Sequence, residues 1–146
     1  GCIENVPAII EKEHAKKIMV FTDKGIRSTG LLDGLTKILD ETAAEYKIFD
    51  DLTPEPAYQD VERVMDEAAQ YEGDFIIAIG GGSVMDAAKL CSVLKGASYT
   101  VKDLLKDPAI AEKQIKTLMI PTTCGTGSEA TCNAIVAIPE EQSKKG

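Results

Sequence analysis

Histidine is nearly absent from this sequence, which contains one, His14, among 146 residues. A zinc or iron site built from several imidazoles therefore cannot come from this chain alone. The four cysteines form no C-x-x-C pair and no disulfide-dense spacing, so a reducing cytoplasm is the expected compartment. His14 itself lies in a charged run, 11–17, and is expected on the surface.

Positive charge and long apolar runs are also scarce. Lys and Arg number 16 against 24 Asp and Glu, which gives a formal net charge of −8. Nucleic acids and anionic membrane surfaces favour clustered positive charge, so neither is an expected partner. No apolar run approaches the roughly 20 residues that span a bilayer, and no signal-peptide pattern is present. The hydrophobic content of 44% is that of an ordinary globular domain with one core.

The most informative stretch is 75–90, in which an apolar run enters three consecutive glycines and then a helical pattern. The chain must turn sharply there from strand to helix. Glycines let a backbone approach an anion, and the free N–H groups of a first helical turn point toward it. Ser83 and Asp86 also fit a capping box that would begin the helix. A plain turn would need one glycine, so we favour a phosphate-binding loop.

The glycine spacing matches neither common phosphate motif. GGGSVMD satisfies neither G-x-G-x-x-G nor G-x-x-x-x-G-K-[ST]. An ordinary Rossmann unit also places a ribose-binding acid about 20 residues after the glycines. The best candidate here, Asp23, lies well before them. A nucleotide site in this chain would therefore take its ribose-binding acid from before the glycines and not from after them.

Short strands alternate with helical patterns along the chain. The predicted strands are 18–21, 46–49, 75–79, 117–120 and 134–138, and the predicted helices are 7–12, 30–42, 61–70 and 83–94. This alternation predicts an α/β fold with a Rossmann-like, mainly parallel sheet and helices on both faces. Because the chain opens without methionine and stops just after an apolar strand, we expect 1–146 to be one dinucleotide-binding domain from a longer protein.

Three polar clusters follow predicted strands, where parallel sheets bind their ligands. They are Thr22-Asp23, Gly81-Gly82-Ser83 and the loop 121–129. Asp23 could accept both hydroxyls of an adenosine ribose and would repel a 2′-phosphate, which favours NAD over NADP. A helix cap or turn is the alternative role for this aspartate.

The loop 121–129 reads PTTCGTGSE and offers several hydroxyls directly after a buried strand. Thr122, Thr123 and Thr126 are interpreted as partners of a purine edge or phosphate, rather than as residues that only form a loop. Cys124 is interpreted as a small buried hydrophobic residue rather than as a thiol at the cofactor. The serine at 128 is not in G-x-S-x-G, and no second histidine completes a triad.

GGGSVMDAAK and PTTCGTGSEAT, in this order and at this separation, resemble the N-terminal domain of the iron-containing (metal-dependent, group III) alcohol dehydrogenases. Thr22-Asp23-Lys24 after a strand fits the same family, and the resemblance covers nearly the whole chain. Glycerol dehydrogenases and dehydroquinate synthases of similar fold share the glycine loop less closely. The resemblance implies a domain that binds NAD(P), followed by an all-helical domain in which one aspartate and three histidines hold a divalent ion, usually iron.

Carried over position by position, the resemblance implies a cofactor site and neither a catalytic residue nor a metal ligand within this chain. Asp23 would bind the adenosine ribose. The residues implied at the pyrophosphate are Gly81, Gly82 and Ser83. Those implied at the adenine and phosphate side are Thr122, Thr123, Thr126 and Thr131, with Lys144, or alternatively Lys145, approaching from the far strand. A loop asparagine frequent in the family is Glu55 here, so no cofactor contact is assigned to that loop.

The activity implied is that of an NAD-dependent alcohol dehydrogenase that interconverts a primary or small alcohol and its aldehyde or ketone. The metal would be held outside this chain, which alone is expected to be inactive. The intact protein is expected to be a homo-oligomer that acts on a small-molecule alcohol or aldehyde. Two alternatives stay open: a non-catalytic nucleotide-binding module, and an enzyme of the glycerol dehydrogenase or dehydroquinate synthase type on the same fold.

Overall fold

Four strands form a parallel sheet at the centre of the computed structural model, which describes residues 2–52 and 57–145. The strands are β1 (Lys17–Phe21), β2 (Glu45–Phe49), β3 (Phe75–Gly80) and β4 (Lys116–Pro121). Their order across the sheet is β2-β1-β3-β4, and every neighbouring pair is parallel. The predicted α/β class is confirmed. Glu55, in the loop without an assigned contact, lies outside the described residues.

Helices connect the strands and cover both faces of the sheet. The α-helices are α1 (Val6–Lys12), α2 (Lys24–Ser28), α3 (Leu31–Asp40), α4 (Tyr58–Tyr71), α5 (Gly82–Leu94) and α6 (Val101–Lys106). Short 3-10 turns occupy Cys2–Asn5, Pro108–Ile110 and Pro139–Glu141. Helix α2 was not predicted, because five residues are too few to show a helical period. Within 2–52 and 57–145, no helix has the length and apolar character needed to cross a bilayer.

The sheet separates two hydrophobic cores, because alternate residues of a strand point to opposite faces. On one face, Met19, Phe21 and Ile76 pack with α4 and α5. On the other face, Ile18 and Val20 pack with α1 and α3. All six residues of β3 are buried, as its unbroken apolar run predicts. Each fully buried aliphatic side chain contributes roughly 1.5–3 kcal/mol to the free energy of folding. The two cores therefore hold the strands, and with them the edge of the sheet, in place.

The chain changes direction across the sheet between β1 and β3. It passes outward from β1 to β2 and then returns to place β3 on the opposite side of β1. At such a switch point the loops after the two central strands diverge and leave a crevice at their carboxyl ends. Thr22 and Asp23 follow β1, and Gly81 follows β3. Two of the three predicted clusters therefore border this crevice.

The glycine loop enters α5 one residue earlier than the predicted helix 83–94. Gly81 is the N-cap residue and Gly82 is the first helical residue. The capping box predicted between Ser83 and Asp86 is therefore wrong, because the helix has already begun at Ser83 and the Asp86 carboxylate bonds to other elements. The rest of the prediction for this strand, turn and helix is confirmed.

The first glycine of the loop is needed for packing and not for an unusual backbone conformation. Gly81 has φ −83°, and no glycine of this loop has a positive φ. A Cβ placed on Gly80 would lie 2.7 Å from Cγ2 of Val84, which is closer than atoms can approach. The missing side chain at Gly80 thus allows the first turn of α5 to fold back against the end of β3.

The last two strands form a small sheet of their own. β5 (Val136–Ile138) pairs antiparallel with β6 (Ser143–Lys145). The strand predicted at 134–138 is therefore shorter than expected and does not join the parallel sheet. Lys144 lies in β6 opposite Ala137, and its side chain is exposed.

Candidate functional site

The loops after β3 and β4 begin side by side at the carboxyl edge of the sheet. The backbone N–H of Thr122 donates to the Gly80 carbonyl at 2.9 Å, which extends the parallel pairing beyond the end of β4. At the other side of β1, the N–H of Thr22 donates to the Phe49 carbonyl at 3.0 Å. These bonds fix where each loop starts, so all three predicted clusters share one edge of the sheet.

Threonine side chains of the loop after β4 face the glycines of the loop after β3. A Cβ on Gly81 would lie 3.4 Å from Oγ1 of Thr123, and a Cβ on Gly82 would lie 3.4 Å from Cγ2 of Thr126. A side chain larger than methyl at either glycine would fill the space between the loops. The structure thus brings these four predicted residues together. Because the glycines have no side chain, their backbone is open toward the threonines.

Two buried hydroxyls at this edge have no hydrogen-bond partner. Within the described part of the chain, the buried side-chain hydroxyls without one are those of Thr22, Tyr71 and Thr122. Thr22 follows β1 and Thr122 follows β4. An unpaired buried hydroxyl costs about 1–3 kcal/mol, and such a group is commonly satisfied by an ordered water or by a bound polar group. The Thr122 hydroxyl is therefore suited to a polar group that enters beside the glycine loop.

Asp23 caps the short helix α2. Its Oδ1 accepts a hydrogen bond from the Ile26 N–H at 2.8 Å. The cap considered from the sequence as an alternative is thus present in the structure, and it uses one of the two carboxylate oxygens. The residue is half-buried at the end of β1. This position is compatible with a ligand at the crevice.

A surface ion-pair cluster lies beside Asp23 and was not predicted. An isolated backbone bridge joins Asp23 to Asp51, and the Asp51 carboxylate binds Nζ of Lys24 at 2.7 Å and Nη1 of Arg63 at 2.6 Å. The Lys24 hydrogen bond is the main cause that lowers the pKa of Asp51. Its partners lie far apart along the chain, so no local pattern could have revealed the cluster. Both cations beside Asp23 are already paired with Asp51.

A buried ion pair on α5 connects this helix to the threonine loop. Nζ of Lys89 lies 3.0 Å from Oδ1 of Asp86 and donates to Oγ of Ser128 at 2.9 Å and to the Asn133 carbonyl at 2.7 Å. It also lies 3.3 Å from Oγ1 of Thr131. Thr131, predicted at the cofactor, therefore contacts Lys89. The i, i+3 spacing of the aspartate and lysine was visible in the sequence, but only the fold supplies their partners.

Three predicted residues remain, Ser83, Lys144 and Cys124. Ser83 is half-buried in the first turn of α5. Lys144 lines an open cavity of about 1000 Å³ together with Lys89 and Thr131, and Gly81 does not line it. Cys124 is exposed, so its interpretation as a buried hydrophobic residue is wrong.

The described residues provide no metal centre. Nowhere in 2–52 or 57–145 do three or more His, Cys, Asp or Glu side chains come together in a way that could hold an ion. His14 is exposed at the end of α1. A metal-dependent reaction would need ligands from outside this part of the chain.

Comparison with known proteins agrees with this geometry. A family model for iron-containing alcohol dehydrogenase matches residues 1–146. Long-chain-alcohol dehydrogenase 1 of Geobacillus thermodenitrificans is 31% identical over 141 residues, which cover 94% of this chain and 36% of that protein. An iron-containing alcohol dehydrogenase structure from Thermotoga maritima is 35% identical with a TM-score of 0.83, over 94% of this chain and 38% of its own.

A further structure, sulfoacetaldehyde reductase from Bifidobacterium kashiwanohense in complex with NAD⁺, is 27% identical with a TM-score of 0.86. The match covers 99% of this chain and 38% of that one. The chain thus spans little more than a third of the length of these relatives. Sequence and fold agree over its entire length, and on this ground the chain belongs to the iron-containing alcohol dehydrogenase family.

Proposed function

We propose that residues 1–146 are the dinucleotide-binding N-terminal domain of an NAD-dependent alcohol dehydrogenase. The observation that carries this proposal is the position of Gly81 and Gly82 opposite Thr123 and Thr126, beside the unpaired hydroxyl of Thr122. A pyrophosphate needs open backbone N–H groups and hydroxyl donors in one place, and this edge of the sheet offers both. The NAD⁺ complex of the related reductase supports the same cofactor.

The residues fit a dinucleotide in distinct roles. The N-terminus of α5 at Gly82 and Ser83 would take the pyrophosphate, where the helix dipole contributes roughly 0.3–1 kcal/mol. Thr122 would supply the hydrogen bond that its buried hydroxyl lacks. Asp23 would accept the ribose hydroxyls with the oxygen not used by its helix cap, and its charge favours NAD over NADP. Thr131 and Lys144 would lie at the adenine and phosphate side.

In the intact protein, this domain would bind and orient the cofactor. When bound, NAD⁺ accepts a hydride, so the alcohol would be oxidised to an aldehyde or ketone. We propose that a helical part of the longer protein holds a divalent ion such as iron, because the described residues supply no ligand set. The contribution of this chain is thus affinity, orientation and the choice between NAD and NADP.

Calorimetric titration with NAD⁺ tests the proposal on Gly82→Val. The valine methyls would occupy the space between Gly82 and Thr126, because a Cβ added at Gly82 would lie 3.4 Å from Cγ2 of Thr126. We expect NAD⁺ affinity to fall by roughly tenfold or more, the equivalent of one charge-assisted hydrogen bond. Circular dichroism would confirm that the variant is folded.

Gly34→Ala is the matched control, because a Cβ at this position in α3 meets nothing within 4 Å. It should bind NAD⁺ like the parent. If folded Gly82→Val also bound NAD⁺ like the parent, the pyrophosphate would have to lie elsewhere, and the proposed site would be wrong.

We also propose a cytoplasmic location and a homo-oligomeric intact protein. The cysteines at 91, 124 and 132 are free thiols, as suits a reducing compartment. Light scattering on the intact protein, coupled to size-exclusion chromatography, tests the oligomer. A monomeric mass at micromolar concentration would contradict it.

A further inference from the structure

The segment 122–135 carries the predicted cofactor threonines but contains neither helix nor strand. Gly125 has φ +91° and Gly127 has φ +66°, conformations that only glycine adopts easily. Inside the segment, the N–H groups of Ala130 and Thr131 donate to the Gly127 carbonyl at 2.9 and 3.2 Å. The Ser128 N–H also donates to Oγ1 of Thr126 at 3.3 Å. These few internal bonds do not offset the entropy of ordering a glycine-containing loop. Contacts from elsewhere must hold it.

One side chain makes three of the hydrogen bonds that reach this segment from outside. The Lys89 ammonium donates to Ser128 Oγ at 2.9 Å and to the Asn133 carbonyl at 2.7 Å, and lies 3.3 Å from Thr131 Oγ1. Its side chain is only 13% exposed. Three residues spread over 128–133 are thereby tied to one point on α5, the helix whose first turn faces Thr126.

Asp86 makes this buried cation tolerable. Its Oδ1 lies 3.0 Å from the Lys89 ammonium and also accepts from the Ser128 hydroxyl. Its Oδ2 accepts from the Ile135 N–H at 3.1 Å. A buried charge that loses its partner is strongly destabilising, whereas loss of both charges of a pair is often nearly neutral. The ion pair can therefore be removed as a unit without a large loss of stability.

We infer that Lys89 is a positioning residue for dinucleotide binding. It contacts the threonine loop at 128–133, and through the loop it holds Thr123 and Thr126 against the glycines. Its effect on NAD⁺ affinity would be indirect, since its donors are occupied by Ser128, Asn133 and Asp86. This inference rests on the proposed function for its ligand, but the order of the loop can be measured without any ligand.

The test compares Lys89→Met with the double variant Asp86→Asn/Lys89→Met in the intact protein. Lys89→Met leaves a buried carboxylate unpaired, so its melting temperature should fall. The double variant restores neutrality. Its asparagine oxygen can accept from the Ile135 N–H and its amide nitrogen can donate to Ser128 Oγ, so its melting temperature should return toward the parent. Lys37→Met, at an exposed position in α3, is the matched control.

NAD⁺ affinity measured by calorimetry separates positioning from stability. We expect roughly tenfold weaker binding or more in both Lys89 variants, because the contacts to Ser128, Thr131 and Asn133 stay lost after stability recovers. Parent-like affinity in the double variant would show that Lys89 only neutralises Asp86, and would overturn the inference. Parent-like affinity in Lys89→Met would overturn it as well.

Hydrogen exchange measured without nucleotide tests the role of Lys89 separately from the proposed function. The amides of Ala130 and Thr131 should exchange faster in the double variant than in Lys37→Met, because the ammonium no longer holds the loop. If the parent failed to bind NAD⁺, the proposed function would be wrong. Faster exchange in the double variant would still support the inference that Lys89 holds the loop at 128–133. Unchanged exchange at these amides would show that Lys89 does not hold the loop, whatever the result of the NAD⁺ titration.

Discussion

Asp23 combines two tasks at the scale of a single residue, since it caps α2 and is proposed to bind the ribose. Asp23→Gly should weaken NAD⁺ binding by about 1.5–3 kcal/mol, the value of a charge-assisted contact. Glycine is itself an adequate N-cap and costs only a few tenths of a kcal/mol, so stability should hardly change. The ratio of kcat/KM for NAD⁺ over NADP⁺ in the intact protein should fall.

Asp23→Asn is the companion variant, because asparagine keeps the cap but removes the charge. It should accept NADP⁺ better than the parent and retain more NAD⁺ affinity than Asp23→Gly. An unchanged cofactor ratio in both variants would show that Asp23 only caps the helix. The neighbouring cations, Lys24 and Arg63, would remain paired with Asp51 in either case.

Gly80 is expected to resist any added side chain. The Cβ of Gly80→Ala would lie 2.7 Å from Cγ2 and 2.8 Å from Cβ of Val84, so β3 and α5 would have to separate. Overpacking of this kind typically costs 1–3 kcal/mol, and we expect a loss of about 2 kcal/mol in the free energy of unfolding in urea.

Gly34→Ala provides the contrast for that measurement. Its Cβ would meet nothing within 4 Å, and alanine favours an exposed helix interior over glycine by roughly 0.5–1 kcal/mol. The two glycine-to-alanine changes should therefore have opposite signs. Equal effects would mean that packing against Val84 is not what restricts Gly80.

Cys91 should be chemically silent in the folded protein. Burial raises the pKa of its thiol to about 12, and the nearby Lys95 opposes this only in part. The reactive thiolate is therefore almost absent near neutral pH. Iodoacetamide labelling followed by mass spectrometry should find Cys124 and Cys132, which are exposed, modified long before Cys91. Labelling of Cys91 at their rate in the native state would contradict the burial.

At the scale of elements, helix α6 depends on its cap. Oγ1 of Thr100 accepts from the Asp103 N–H at 3.3 Å, and Oδ2 of Asp103 accepts from the Thr100 N–H at 3.0 Å. The backbone hydrogen bond from Thr100 is the main cause that lowers the pKa of Asp103 below 3.8. A carboxylate whose pKa is lower in the folded state stabilises the fold at any pH above its unfolded-state pKa. This contribution is lost as the pH falls through the pKa of the folded state.

Asp103→Asn should therefore lower the melting temperature near neutral pH, and its difference from the parent should shrink below about pH 4. Melting curves of both proteins between neutral and acidic pH measure this. Thr100→Ala, which removes the other half of the cap, should cost about 0.5–2 kcal/mol. A difference between Asp103→Asn and the parent that stayed constant at every pH would show that the carboxylate charge is not involved.

Some elements can be predicted from a local sequence pattern and others cannot. β3 and α5 were predicted within a residue or two, because an unbroken apolar run, three glycines and a helical period are all local signals. Helix α2 was missed because it is held by one capping bond from Asp23 and not by an apolar face. The pairing of β5 with β6 was missed because β6 is three polar residues whose strand conformation comes from its partner.

At the scale of the whole molecule, we expect residues 1–146 alone to show no alcohol turnover with added iron or zinc. The described residues supply no metal-ligand cluster, and the sequence has a single histidine. An alcohol without a Lewis acid stays protonated near neutral pH, so hydride transfer is not assisted. NADH formation measured at 340 nm should equal a blank, while NAD⁺ binding persists. Metal-dependent NADH formation by this chain would contradict the proposed division of labour.

The α/β class, the strand–glycine–helix turn and the family resemblance could be predicted from the sequence, because strand burial, helical period and glycine-rich motifs are properties of neighbouring residues. Only the tertiary structure decided that Gly81 faces Thr123, that Thr122 holds an unpaired hydroxyl, and that Asp86 pairs with Lys89 and Ser128 instead of capping α5. Gly81 and Thr123, like Asp86 and Ser128, lie about 40 residues apart along the chain. Which polar group finds which partner depends on sheet order and loop path, and local sequence carries no record of either.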